Sequence, residues 1–204
     1  MSSPQSMSPE LDVLIARAQG GDLPAFNQLV LSHQNALYSL ALRMLGSREA
    51  AEDATQEAFI RAYRRLETFR GGNFRSWLFS IVANVSRDEL RRRKRRPQLS
   101  LDYARDDPDR ADLDPADADP LPEARAEQAD LRRVLEAALR ALPDEWRELV
   151  VLVDVGGLAY DEAARATGLP VGTVKSRLSR ARGRLRDLLR DSGELPGVAR
   201  RQED

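Results

Sequence analysis

The stretch from Gly157 to Leu189 constrains the fold more than any other part of the chain. GLAYDEAARATGLPVGTVKSRLSRARGRLRDLL reads as helix, tight turn, helix. An alanine-rich pattern over Tyr160 to Thr167 meets Gly168, a residue type that closes helices, and Leu169-Pro170 cannot prolong it. In the helix that follows, at about 100° per residue, Val174, Leu178, Ala181, Leu185, Leu188 and Leu189 fall within about 60° and make one stripe for burial. Thr173, Ser176, Arg177, Arg180 and Arg184 lie opposite, with Lys175 and Ser179 on the flank. Short hydroxyl side chains permit close approach, and arginines reach base edges or phosphates, which is what a helix entering a major groove needs. An ordinary solvated face uses the same residue types. The turn, the short preceding helix and the one-sided charge together favour a DNA-reading helix-turn-helix.

Composition narrows the rest. Charged residues make up 32 % of the 204 and aromatics 5 %, and with few alternating β-branched runs this points to an all-α protein. There is no cysteine and only one histidine, His33, so thiolate or histidine metal sites and a histidine-based triad are excluded, and no cofactor is expected. His33 itself reads as a surface or edge residue. MSSPQSMSPE has neither a basic nor an apolar core segment, and no apolar run is long enough to span a bilayer, so a cytoplasmic protein without membrane insertion is expected. The net charge of −1 conceals a division: +5 over residues 1–99, −8 over 100–130 and +2 over 131–204. Two basic blocks flank an acidic strip.

Residues 1–9 are rich in Ser and Pro and read as disordered. Residues 10–97 read as a first helical unit. A helix through Leu11, Leu14, Ile15 and Ala18 stops at Gly20-Gly21. Asp22 then caps a longer one through Phe26, Leu29, Leu37, Leu40 and Leu45, which Gly46-Ser47 ends. The next helix, about Glu49 to Leu66, turns Thr55, Ala58, Phe59, Ala62 and Leu66 inward. Asp53, Gln56, Glu57, Ile60 and Arg64 face outward. An acidic face with an isoleucine set in it fits docking onto a basic partner, and equally an ordinary solvated surface. Phe69 to Phe74 reads as a loop broken by Gly71-Gly72. Arg75 to Arg96 forms a helix with Trp77, Leu78, Ile81 and Val85 inward, and Ser80, Asn84, Arg87 and Arg91 sharing a polar side. Its six closing cations, Arg91 to Arg96, fit a phosphate patch, a solvated end or a targeting signal. Residues 98–123, rich in Pro and Asp without an apolar period, read as a flexible acidic linker. Residues 124–190 form a second, four-helix unit. Leu131, Val134, Leu135, Ala138 and Leu139 line its first helix, and Trp146, Leu149, Val150 and Val153 its second, with residues 191–204 a flexible tail.

Taken in order, these motifs resemble those of bacterial RNA polymerase sigma factors of the extracytoplasmic-function class, over about residues 10–190. Ala51 to Phe59 resembles the segment that binds core polymerase. Phe69-Arg70-Gly71-Gly72 through Phe74, with Trp77-Leu78 and Asn84, resembles the segment that meets the promoter −10 element. Leu142-Pro143, Gly157-Leu158 and Gly172 to Leu178 with Arg180-Ala181-Arg182 resemble the −35-reading helix-turn-helix.

The resemblance implies two helical domains joined by the linker, and promoter recognition rather than catalysis. Core RNA polymerase and promoter DNA are the implied partners, with an anti-sigma factor as a further one, since no added C-terminal domain is evident. Asp53, Gln56, Glu57 and Ile60 would dock on polymerase. Arg70, Gly71, Gly72, Asn73 and Asn84 would read an unstacked base, with Arg87 and Arg91 to Arg96 holding phosphates. Thr173, Lys175, Ser176, Arg177, Ser179, Arg180 and Arg184 would meet the −35 element. The linker would occupy a basic RNA-exit path. The 70–74 loop is short against many relatives, so the family's −10 sequence preference is not carried over. The rival reading is a stand-alone helix-turn-helix regulator that binds half-sites as a dimer.

Overall fold

Each helix start and stop follows from a local device. The computed structural model describes residues 9–95 and 122–191, and all elements among the described residues are helical. Helix α1 (Pro9–Gln19) gives way at Gly20-Gly21 to α2 (Leu23–Leu45). Asp22 caps α2: its Oδ1 accepts from Ala25 N at 3.1 Å and its Oδ2 from Arg17 Nη2 at 2.7 Å. These bonds, the backbone one foremost, hold its carboxyl below the ordinary aspartate range. Gly46, at φ 69°, closes α2 in the left-handed region, and Ser47 opens α3 (Arg48–Arg65) by accepting from Ala50 N.

The inner side of α3 is a ladder of small residues, Ala51, Ala54, Ala58 and Ala62, all buried. Short side chains let its backbone approach α2 and α4 (Phe74–Arg95), and the three pack on one another. Between α3 and α4 a single 3-10 turn (Leu66–Thr68) leads into the glycine loop. Phe69, Phe74 and Trp77 gather there with ring centroids 5.3 to 5.5 Å apart, and Gln19 Nε2 donates to the Leu66 and Phe69 carbonyls. Burying a side chain such as Phe74 contributes about 1.5 to 3 kcal/mol, so the loop hangs from a fixed base. His33 is half-buried and meets Phe74 edge-on at 5.6 Å, so it belongs to this cluster's margin.

The second unit comprises α5 (Pro122–Arg140), α6 (Asp144–Val150), α7 (Tyr160–Thr167) and α8 (Val171–Asp191). A π-helical turn, Val151–Val155, prolongs α6, with Gly156 N donating to Val151 O at 2.8 Å. Gly168, at φ 70°, closes α7 as its sequence position requires.

Some expectations need correction. Pro9, Pro122, Glu123 and Asp191 are helical rather than parts of a tail or linker; proline suits a first helical turn, where its missing N–H is not needed. Residues 1–8, 96–121 and 192–204, and with them most of the expected disordered start, acidic linker and tail, lie outside the described residues. Leu131 and Leu135, expected to line the unit's first helix, are exposed at 47 % and 38 %, while Ala138 and Leu139 further along α5 are buried.

The two units also share a seam. Helix α4 lies against α7, and α2 touches α5, α6 and the π turn, so the buried residues of both units form one continuous cluster. The Phe79 ring is 1 % exposed and lies 2.9 Å from where a Cβ on Gly156 would stand, a gap only glycine allows.

Candidate nucleic-acid interface

Burial orients α8. Val174, Leu178 and Ala181 are sealed inside, which turns Lys175, Ser176, Ser179, Arg180 and Arg184 to solvent, with Thr173 and Arg177 half-buried at the edge. From Thr173 to Arg184 this face runs about 16 Å along the helix, matched to a groove about 12 Å wide. The cations on it are not equivalent. Arg177 Nη1 meets Glu145 Oε2 at 2.6 Å, and Lys175 Nζ sits 5.9 Å from the centre of the Tyr160 ring. Arg182, just off this face, forks onto Asp154 at 2.5 and 3.1 Å, and this carboxylate, then Tyr160, drives its pKa further up. It braces α8 on the π turn. Arg180 and Arg184 have no ion-pair partner among the described residues.

On the first unit, Arg70, Gly71, Gly72 and Asn73 form an exposed loop, with both glycines at positive φ, 92° and 91°. Asn73 also caps α4, its Oδ1 accepting from Ser76 N at 3.0 Å. Counting about 100° per residue, Asn73, Asn84, Arg87 and Arg91 share one side of α4, with Asn84 about 16 Å beyond the loop. Arg91 is exposed, and Asn84 and Arg87 are half-buried, Arg87 against the second unit. Arg87 Nη1 donates to Asn84 Oδ1 at 2.9 Å, its Nε to Glu148 Oε2 at 3.2 Å and its Nη2 to Glu148 Oε1 and to the Ala166 carbonyl.

Several of the closing cations of α4 have carboxylate partners. Arg92 and Arg93 both clamp Glu89, at 2.8 and 2.9 Å, and Lys94 pairs with Asp144 at 2.7 Å. Burial raises the Glu89 pKa, but the two guanidiniums outweigh it and hold the carboxyl below its ordinary range. Arg96 lies outside the described residues.

On α3, Asp53, Gln56 and Ile60 are exposed, Ile60 at 46 %, and Glu57 is half-buried with its Oε1 2.7 Å from Arg61 Nε. Asp53 and Glu57 rim a groove of about 610 Å³ between α3 and the end of α4, with Arg61 and Arg92 among the residues facing them. Among the described residues no cluster of His, Asp and Glu could hold a metal ion, and no helix is long and apolar enough to cross a membrane.

The two units match two regions of a known family. Residues 29–96 match sigma-70 region 2, and residues 132–185 match sigma-70 region 4. The ECF RNA polymerase sigma-E factor of Escherichia coli is 36 % identical over 190 residues, a match covering 86 % of this chain and 93 % of that factor. This chain belongs to the ECF RNA polymerase sigma factors of the sigma-70 family. The sigma factor is also 41 % identical to SigE of Mycolicibacterium smegmatis, across 82 % of its own length and 62 % of that relative. Two solved structures share its fold at a TM-score of 0.63. CnrH, bound to the cytosolic domain of CnrY, is 30 % identical, with 88 % of this chain and 96 % of that one covered. The sigma factor RpoE of Bartonella quintana, bound to the anti-sigma factor NepR, is 31 % identical, with 81 % and 96 % covered.

Glu148 is the residue of this region that sequence reasoning missed. A signal existed: it is an acid beside the inward residues Leu149 and Val150, a position that demands a cation from elsewhere.

Proposed function

We propose that this sigma factor binds core RNA polymerase through the acidic and apolar face of α3 and directs it to promoters by dividing the reading between α4 and α8. Asp53, Gln56, Glu57 and Ile60 supply the docking contacts. The Arg70 to Asn73 loop with Asn84, Arg87 and Arg91 takes the −10 strand. Thr173, Lys175, Ser176, Arg177, Ser179, Arg180 and Arg184 take the −35 duplex. The observation that carries this reading is the pairing of two cation-bearing helix faces on separate units with a third, exposed face that is acidic and set with Ile60. A stand-alone operator binder has no use for that third face.

The same reading makes the protein a cytoplasmic specificity subunit without catalytic chemistry of its own. An anti-sigma factor is a fitting regulator, as the RpoE neighbour is bound to one.

Core polymerase retention is the test. Wild type should be retained on immobilised core enzyme and support run-off transcription, and Asp53→Arg with Glu57→Arg should lose both. Equal retention of the two proteins would remove the docking role from α3.

A further inference from the structure

We propose that the seam between the two units is a built-in self-masking state, closed by two arginines exchanged across it, in which Glu148 takes the place of DNA on Arg87. The proposal rests on the reading of Arg87 as a −10 contact.

The exchange is reciprocal. Arg87 leaves α4 of the first unit and donates to Glu148 and to the carbonyl of Ala166, in the last turn of α7. Arg147 leaves α6 of the second unit and donates to the carbonyl of Met44, in the last turn of α2, at 2.9 Å. Each guanidinium therefore caps the electronegative end of a helix in the other unit. Lys94 and Asp144 add a pair at 2.7 Å on the rim, and Phe79 against Gly156 supplies apolar contact between the units.

Glu148 is 7 % exposed, and a carboxylate so placed stays charged at little cost only when its bonds are met. Arg87 meets them with a fork: two parallel N–H groups on two anionic oxygens, the geometry with which arginine also takes a phosphate. Asn84, three residues earlier on α4, accepts from the same guanidinium and steadies the fork from within the helix. Closing the seam thus consumes the Arg87 contact and leaves Asp53, Gln56 and Ile60 on α3, and the Arg70 to Asn73 loop, exposed. Docking on polymerase is open to the closed form, and phosphate contact through Arg87 is not.

The chain has no cysteine, so paired spin labels can be placed without background. Gln34→Cys and Arg186→Cys, both exposed and outside every face named above, report the separation of the units in the full-length protein by pulsed electron paramagnetic resonance. The parent should give one narrow, short distance. Glu148→Gln keeps the shape and removes the charge, and should raise the open-to-closed ratio roughly tenfold or more. The free protein should then bind a labelled random-sequence single-stranded DNA oligonucleotide more tightly. If Glu148→Gln is found unfolded by circular dichroism, Asp144→Asn on the rim tests the same closure with a smaller shift. An unchanged distance distribution in the folded variant overturns the clasp. Opening without a gain in DNA affinity overturns the masking. Failure of the sigma reading would show separately, as a wild-type protein that supports no run-off transcription with core polymerase.

Discussion

Replacing Arg147 should cost more stability than removing any other single cation of the second unit. Its side chain is 11 % exposed, and burial lowers its pKa, with Asp144 opposing and Arg140 adding to the fall. The guanidinium donates to four carbonyls, Leu139 at 3.0 Å, Met44 at 2.9 Å, Arg140 at 3.1 Å and Leu142 at 3.0 Å, and also pairs with Asp144 at 3.1 Å. It closes the C-terminal turn of α5, sets the corner into α6 and holds the end of α2. Taken singly, charge-assisted bonds contribute about 1.5 to 3 kcal/mol each. They do not add in full, because desolvating the guanidinium offsets part and water can reach the exposed Arg140 carbonyl once the side chain is gone. Arg147→Ala should therefore cost about 3 to 5 kcal/mol, the range for breaking a buried charged network from one side. In a chain of this size that lowers Tm by about 6 to 20 °C. Arg147→Lys keeps the charge but cannot fork to four carbonyls, so it should recover only part of the loss. Urea unfolding of the parent and both variants decides the matter. A loss under about 1 kcal/mol for Arg147→Ala would mean that these carbonyls are satisfied without it, and would refute the reasoning.

Acidification should weaken the fold through His33. Its folded pKa is held below the ordinary 6.5, first by burial, with the Leu29 carbonyl opposing and Arg75 adding to the fall. The unfolded chain then binds more protons below about pH 6.5, so stability present at neutral pH is lost as pH falls from there toward the folded pKa. His33→Gln should flatten urea-measured stability between about pH 7 and pH 5, and an unchanged slope would assign the effect elsewhere. On α8 the neighbours Arg180 and Arg182 should part company. Arg180→Ala should cost about 1 to 3 kcal/mol of −35 duplex affinity, if it reads a base, with Tm unchanged. Arg182→Ala should lower Tm slightly, because its Asp154 pair is partly exposed. Equal loss of duplex affinity in both would show that face and brace are not separated as drawn.

Features written within a few residues were readable in the sequence. Asp22, Gly46 and Gly168 announce helix ends because caps are local chemistry, and the alanine ladder of α3 announces its buried side by period. The Val174, Leu178 and Ala181 stripe fixed which side of α8 could face DNA. Contacts between distant residues were not readable. Arg87 and Glu148 stand 61 positions apart, and nothing in the period of α4 says which of its polar residues a second unit will cover. Leu131 and Leu135 carry a helical stripe that finds no covering surface among the described residues, since amphipathic period sets a face but does not supply its partner. The run Arg91 to Arg95 looked uniform because charge is counted along the chain, whereas Glu89 on the preceding turn claims two of its members.

The arginines therefore do not form one electrostatic patch, and that is how a chain of net charge −1 can read DNA. Arg93, Arg147 and Arg182 are bound into the fold by the carboxylates they hold. Arg180 and Arg184 present charge to solvent on a helix that Arg182 braces against the π turn. Arg87 belongs to neither set. Its fork suits a carboxylate and a phosphate equally, so the choice between them falls to whatever changes the distance between the units. On the proposed function, a sigma factor built this way needs little free positive charge, because docking through α3 would supply the proximity that a larger basic surface would otherwise provide. On the proposed closure the same economy protects against indiscriminate binding, since the Arg87 fork is held by Glu148 when the units are together.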